Sequence, residues 1–475
     1  TGGRIATASI AQATVVYDVT APLTASFSSR GPLLAGNGDV LKPDLIAPGQ
    51  DILAAVAPPG NNGKSFDLYS GTSMSSPHVA GLAALMKEKH PGWSPMAIKS
   101  ALMTTGTDVL DGGTPAPNTN PVLIFRQGAG HVQPNSALDP GLVYDSGFSD
   151  WLSFICGAQP GGGCTGVTPM DPSNLNQASI AIGDMGGVQT VTRRVTNVSR
   201  QPLTVNSSVT GMGGFTVSVT PASLSLAPGE TKSFEVAFIR TTATLNAYTG
   251  GQLRWTGGGY TVRSPIVVRP VALGAPASVS GTGAPLSYSV VFGYNGPFSA
   301  TPRGLIPAVL TDGTVTDDPT DGACSLTAPN AQLIPVVIPA GTTFARFSLF
   351  DADVSPGADI DLCVFRGPTL VGSSGSGTSA EEVNLLNPAA DNYMVVVQGW
   401  GVVGSSPFKL HTWLLGSVDA GNMTVTAPAV ATTGGTGTIS LSFSGLAVGT
   451  RYLGSVAYAG AAGMPNPTIV RIDTP

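Results

Sequence analysis

The two good helix signals in this 475-residue chain fall together in one short stretch, residues 73–103, and that placement is what most limits the fold. The first signal is a run of small and apolar residues, Val79-Ala80-Gly81-Leu82-Ala83-Ala84-Leu85. Pro77 sits in its opening turn, where a missing N–H costs little. Lys87, Lys89 and His90 favour the negative end of the helix dipole, and Pro91-Gly92 stops the helix. This predicts a helix over about 73–89, and its small side chains predict a central position, close against other elements. A second helix opens at Ser94-Pro95, an N-cap followed by proline at the first helical position, and runs to about Met103. Short apolar runs at 5–8 and 52–56 read as buried strands, so residues 1–160 read as α/β.

From about residue 175 the period changes to two. Residues 188–196 (VQTVTRRVT) are rich in β-branched side chains and 233–238 (SFEVAF) alternate, with Ala227-Pro228-Gly229 and Gly257-Gly258-Gly259 as turns. This predicts an all-β sandwich over 175–273. Residues 274–475 are again β-rich. The clearest strands are 344–350, 359–365 and 393–398, with a Gly/Ser loop at 372–379. Whether this last region is one sandwich or two split near Ser417 is left open. The composition agrees: charged residues are 11 %, with 62 Gly and 39 Pro, a turn-rich and charge-poor mix. A net charge of −6 offers no basic face for nucleic acid. There is no run of 18 apolar residues to cross a membrane. The chain opens at Thr1 with neither an initiator Met nor a signal peptide, and so reads as a processed piece or a fragment. The four cysteines fall into two neighbourhoods, Cys156 with Cys164 and Cys324 with Cys363. In an extracellular-looking chain this favours two disulfides over four free buried thiols.

The chemistry-bearing segment is 70–81 (SGTSMSSPHVAG). Ser73 stands at the start of the small-residue helix, where unpaired N–H groups and positive potential would stabilise an oxyanion forming beside it. Gly71 is expected to let the chain turn so that Ser73 faces outward. This segment resembles the serine motif of the subtilisin-like proteases, the subtilases. The resemblance continues through 27–32 (FSSRGP), 41–49 (LKPDLIAPG), 90–95 (HPGWSP), 98–105 (IKSALMTT), 128–131 (GAGH) and 137–145 (ALDPGLVYD), the marks of the plant-type branch. Residues 192–198 and 262–268 resemble the fibronectin-III-like domain that follows the catalytic domain in that branch. Residues 344–350, 359–362 (DIDL) and 392–396 resemble the small pre-peptidase C-terminal β-sandwich of secreted bacterial peptidases.

The resemblance implies a partial subtilisin-like catalytic domain with a parallel sheet over 1–160, followed by all-β sandwich domains at 175–273 and 274–475. It implies a secreted serine endopeptidase, acting on proteins or peptides, in which Ser73 attacks the scissile carbonyl to form an acyl-enzyme. The Ser73 N–H serves the oxyanion, and Gly71, Thr72 and Met74 lie beside the substrate. The family's order is Asp, His, Asn, then Ser. No histidine precedes Ser73: the four are His78, His90, His131 and His411. Asp18, Asp39, Asp44, Asp51 and Asp67 precede it, but none lies in the family's aspartate motif, and Asp44 belongs to the structural Lys-Pro-Asp motif. Asn37, Asn61 and Asn62 lie near glycines in apparent loops. The expectation is that the catalytic Asp and His and the oxyanion Asn reside on an N-terminal portion of the same protease. This chain alone should then be inactive, with an open sheet edge and a stripped apolar face.

Further expectations concern cofactors, oxidation and glycosylation. No cofactor is required. Asp351, Asp353, Asp359 and Asp361 form a carboxylate group that calcium would suit, with a solvated turn as the plain alternative. Met74 beside the nucleophile is exposed to oxidation. Asn197, Asn206 and Asn422 fit the glycosylation pattern. The competing function is a non-catalytic fragment whose β-domains bind polymers or cell surfaces, with Trp400 and Trp413 as candidate contacts, although core packing is the plainer fate of both.

Overall fold

The computed structural model describes residues 21–33, 35–58, 60–111, 119–159, 163–320 and 322–475. The expected strand at 5–8 lies outside the described residues. The chain divides into two compact units, Thr1–Pro270 and Val271–Pro475.

In the first unit, α1 (Thr72–Lys89) and α2 (Pro95–Thr104) form where the sequence places them. The Ser94 hydroxyl accepts the Ala97 N–H at 2.9 Å, which caps α2 as expected. The region is α/β but partial. Among its described residues before Pro140, the paired strands are one antiparallel hairpin, Ile52–Ala55 with Phe66–Tyr69. Parallel pairing there is a single bridge, Ile46 to His131. The 52–56 run was expected to be buried, yet Leu53 is 69 % exposed and its partner Leu68 57 %. A two-stranded hairpin shields neither of its faces by itself.

A two-sheet sandwich follows. One sheet orders Ile180–Met185, Tyr260–Pro270, Thr249–Gly257, Leu203–Gly211 and Ser223–Leu226. The other orders Leu142–Val143, Val188–Asn197, Thr231–Arg240 and Phe215–Thr220. Alternation points Val191, Val195, Phe234, Val236 and Phe238 inward, against Leu253, Trp255 and Val262 of the facing sheet. Phe234 meets Trp255 edge-on, with ring centroids 4.9 Å apart.

The second unit holds two sandwiches that do not follow one another along the chain. The first, here the split sandwich, pairs Ser299–Pro307 with Arg451–Ala459 and Ser278–Gly281 with Thr468–Asp473. Its other sheet orders Leu273–Gly274, Leu286–Phe292, Thr436–Phe443 and Met423–Thr426. Between its two halves the chain builds the inserted sandwich. That sandwich has one sheet of Val309–Thr316, Ser405–Leu415, Phe344–Ser348 and Glu382–Leu386, and another of Gln332–Ile338, Asp391–Gly401, Asp359–Arg366 and Thr369–Ser374. Ser417 lies where the chain returns to the split sandwich, not between two consecutive domains. Both expected disulfides form, Cys156–Cys164 and Cys324–Cys363, with Cα separations of 5.6 and 6.4 Å. Of the two tryptophans proposed as surface contacts, Trp413 is core at 1 % exposure and Trp400 stands at 38 %. Of the three sequons, Asn206 is exposed. The Asn197 amide is buried on the carbonyls of Gln201 and Leu226, and the Asn422 amide donates to the Leu305 carbonyl.

Candidate active site

Ser73 is the second residue of α1 and is exposed, as is Thr72, while Gly71 and Met74 are half-buried. The helix start has no side-chain cap and no acidic residue in its first turn. The N–H groups of Met74 and Ser75 return to the Gly71 carbonyl at 3.0 and 3.4 Å. The preceding donors of the first turn are therefore the ones left facing outward, at the positive end of an 18-residue helix. A developing negative charge beside the Ser73 hydroxyl would meet them.

Gly71 was expected to supply a tight turn, but its φ of 163° is ordinary extended backbone. A Cβ there would only touch the Met74 sulfur at 3.7 Å. The position that demands glycine is Gly49. A Cβ on Gly49 would lie 2.8 Å from the Gly71 carbonyl oxygen and 3.1 Å from the Ser75 Cβ. The Gly71 N–H donates to the Gly49 carbonyl at 2.8 Å, and the Ser75 hydroxyl donates to the Ala47 carbonyl at 2.8 Å. The segment Ala47-Pro48-Gly49 thus seats the first turn of α1 from below. Its residues belong to the 41–49 motif, but a backbone seat leaves no side-chain signature, so sequence reasoning gave it no role. Beside it opens a cavity of about 570 Å³, lined in part by Leu23, Phe27, Gln50, Thr72 and His131.

The histidines do not assemble a base. The His78 Nδ1 is bound to the Met74 carbonyl one turn back, at 2.8 Å. The His90 ring stacks on Trp93 and its Nε2 meets the Leu138 carbonyl at 2.8 Å. The His131 Nδ1 meets the Val132 carbonyl at 3.0 Å. His411 belongs to the second unit, on Ser405–Leu415.

The described aspartates before Ser73 are likewise engaged elsewhere. Asp44 is paired with Lys42 at 2.6 Å and Lys99 at 2.8 Å, the structural role expected of it. Asp51 exchanges hydrogen bonds with Ser70. Asp67 is held below the usual carboxylate range by the Leu68 N–H and by Lys64. Asp39 accepts the Gly183 N–H at 2.8 Å, and burial pushes its carboxyl up to about 7, with Asp171 and Asp184 adding to the rise. Asp18 lies outside the described residues. Asn61 binds the Ala57 carbonyl and the Tyr69 hydroxyl, and Asn37 and Asn62 occupy turns with φ of 58° and 54°.

On α1, the face that carries Ser73 continues through Pro77, Ala80, Gly81, Ala84 and Leu85, spaced at helical period. All of them are exposed, and Leu85 reaches 60 %. The helix expected at the centre of a domain buries one residue fully among the described ones, Met86.

The four aspartates considered for calcium are Asp351, Asp353, Asp359 and Asp361. Among the described residues no three His, Cys, Asp or Glu groups converge on a metal-sized site. Asp353 is turned to His411 and Arg451, so it is not available to join the others. Asp359 and Asp361 share a strand face as predicted. Burial, then Asp359 and Glu381, push the Asp361 carboxyl up to about 6.

Comparison with known sequences was made against this geometry. Residues 5–130 match the profile of the "Subtilase family" and residues 174–268 that of a "Fibronectin type-III domain". The "Subtilisin-like protease SBT2.5" of Arabidopsis thaliana is 40 % identical over 283 residues, which is 53 % of this chain and 34 % of that protein. The "Subtilisin-like protease SBT5.3" of the same plant is 40 % identical over 272 residues, 52 % of this chain and 35 % of that one. The "Subtilisin-like protease Glyma18g48580" of Glycine max is 37 % identical over 274 residues, 52 % and 34 %. The chain spans about a third of the length of these relatives. Among solved structures, the "Secreted serine protease VesC from Vibrio cholerae" aligns over 49 % of both chains at 14 % identity, with a TM-score of 0.18, too low to carry an argument.

Proposed function

We propose, from the premise that this chain belongs to the subtilase family and carries a fibronectin type-III domain behind its subtilase segment, that it is part of a secreted serine endopeptidase whose nucleophile is Ser73. The hydroxyl of Ser73 attacks the scissile carbonyl, and the outward N–H groups of the first turn of α1 stabilise the oxyanion. The observation that carries this reading is an exposed serine at an uncapped, acid-free helix start, seated by a glycine that nothing larger could replace. The general base, the aspartate that orients it and the side-chain oxyanion donor come from a segment other than the residues here. The histidines and the described aspartates of the first unit are committed to other partners. That segment would cover the Pro77–Leu85 face of α1. Two disulfides favour an oxidising, extracellular setting. Among the described residues no helix is long and apolar enough to cross a membrane.

A fluorophosphonate probe tests the assignment. Native protein, with whatever accompanies this chain, should be labelled at Ser73, and Ser73→Ala should abolish labelling. The 475 residues alone should react at the rate of an unactivated serine. Rapid labelling of the isolated chain overturns the division of the machinery, and native protein unlabelled at Ser73 overturns the assignment itself.

A further inference from the structure

The two sandwiches of the second unit meet through a face that is not purely apolar. On the inserted sandwich, Ser348 pairs with His411, Arg346 with Trp413 and Phe344 with Leu415 across neighbouring strands. Phe344, Trp413 and Leu415 pack with Leu453 and Ile469 of the split sandwich. The last rung of the split sandwich's own ladder lies beside them, from the Ala308 N–H to the Arg451 carbonyl at 3.0 Å, where the chain leaves for the inserted sandwich.

Around this small apolar patch lies a ring of charge. The His411 Nε2 stands 2.9 Å from the Asp353 Oδ2, and one guanidinium nitrogen of Arg451 lies 3.0 Å from each of them. The Phe350 ring meets His411 edge-on and carries Arg451 and Arg471 over its face at 3.8 and 4.9 Å. Arg471 is paired with Asp473, and Arg346 with Glu382 at 3.0 Å. His411 is 4 % exposed, and its Nδ1 has no partner among the described residues. Ser348 completes a Ser, His and Asp grouping in name only. Its hydroxyl is bound to neither ring nitrogen and it is 1 % exposed, so no substrate reaches it.

We propose that this junction is an acid-released clasp, closed while His411 is neutral between Asp353 and Arg451 and loosened when the imidazole takes a proton. A second cation at that place would share one carboxylate with the Arg451 guanidinium at contact distance, and the Arg471 guanidinium also stacks on the Phe350 ring that His411 meets. Asp353 is the one group there that favours the charged ring. Burial weighs most against protonation, and Arg451 and Arg471 add to it, so His411 titrates below its ordinary 6.5 in the closed junction. The sign follows from linkage. Opening returns the ring to water, so the closed state is fully favoured above pH 6.5 and loses ground as pH falls from there to the lowered value. Across that window the open fraction rises by up to about tenfold per pH unit.

The test uses the full chain, whose four histidines make an NMR titration tractable. His411, assigned through His411→Gln, should titrate below 6.5. Protection of the Ala308 amide, corrected for intrinsic exchange, should fall by nearly tenfold per unit inside the window, and His411→Gln should flatten that dependence. Arg451→Gln removes the nearest like charge, should raise the His411 midpoint, and carries the test if the first variant does not fold. A His411 midpoint at or above 6.5, or Ala308 protection that ignores pH, overturns the clasp. Neither result depends on the peptidase reading, because both concern the second unit alone.

Discussion

The sandwich of the first unit closes its inner core largely on its own residues, whereas the segment before it, the one that matches the subtilase profile, leaves α1 largely uncovered. In the sandwich, Phe234, Val236, Phe238 and Trp255 are all exposed by 1 % or less. In α1, one residue of eighteen is fully buried. Two mainly antiparallel sheets with alternating patterning cover each other's inner apolar faces. A helix that belongs in the middle of an α/β layer needs elements on more than one side, because its apolar residues are spread around it. The serine proposed as the nucleophile thus sits on the less closed of the two regions, and on that proposal its reactivity would depend on what covers the rest of that helix.

The largest effect that separates the regions is chemical. If native protein reacts at Ser73 and the isolated chain does not, the rate ratio should be 10³ or more, the scale on which serine hydrolases lose activity when triad members are removed. Next comes packing. Phe234→Ala should cost about 3–5 kcal/mol of the sandwich's stability, measured by denaturant unfolding, because the cavity lies between Trp255 and Tyr144 with little room to collapse. A cost under about 1 kcal/mol would mean the sandwich is not the closed body it looks.

The seam between the two regions has its own signature in pH. Asp39, on the subtilase side, accepts the Gly183 N–H of the sandwich, and its folded value of about 7 stands above the ordinary 3.8. A raised carboxyl contributes stability that is fully present below pH 3.8 and is lost as pH rises through 7. Asp39→Asn keeps the acceptor without the charge. It should remove that decline, a change of a few kcal/mol across the window, seen as a flatter plot of unfolding midpoint against pH. The Cys156–Cys164 bridge should matter less. It closes a short loop with a separation of 8 residues, and replacing both cysteines by serine should cost about 2.5 kcal/mol.

Features that depend on neighbouring residues were legible from sequence, and features that depend on distant pairing were not. The Ser94-Pro95 cap, the stop at Pro91-Gly92 and the alternation of 233–238 are local signals, and each is found in its place. The insertion of one sandwich into another carries no such signal. It rests on Ser299 pairing with Ala459 and Ser278 with Ile469, and strand periodicity does not name a partner. Trp413 is core, as the plain reading of it had it, but what covers it could not be named for the same reason. Alternation says which residues share a face, and here the outer face of one sandwich is covered by the other. At the candidate site Ser73 could be proposed from the sequence because its motif is contiguous. The seat beneath it was not, because Gly49 acts through the space it leaves empty.

The smallest expected effect is the one that bears most directly on the opening contrast. Leu85 is 60 % exposed on the Ser73 face of α1, so Leu85→Ser removes little burial from these residues. On the isolated chain its cost should stay within about 0.5 kcal/mol, as for surface positions generally. If the covering segment binds that face, the same substitution in native protein places a hydroxyl in an apolar contact and removes a buried leucine. There it should cost about 2 kcal/mol or more, read as weaker association of the segment and slower labelling of Ser73. Equal and small effects in both forms would mean that this face is ordinary surface and that the segment docks elsewhere. A large effect on the isolated chain would mean that residues of this chain cover α1, and the contrast between an open and a closed region would not hold.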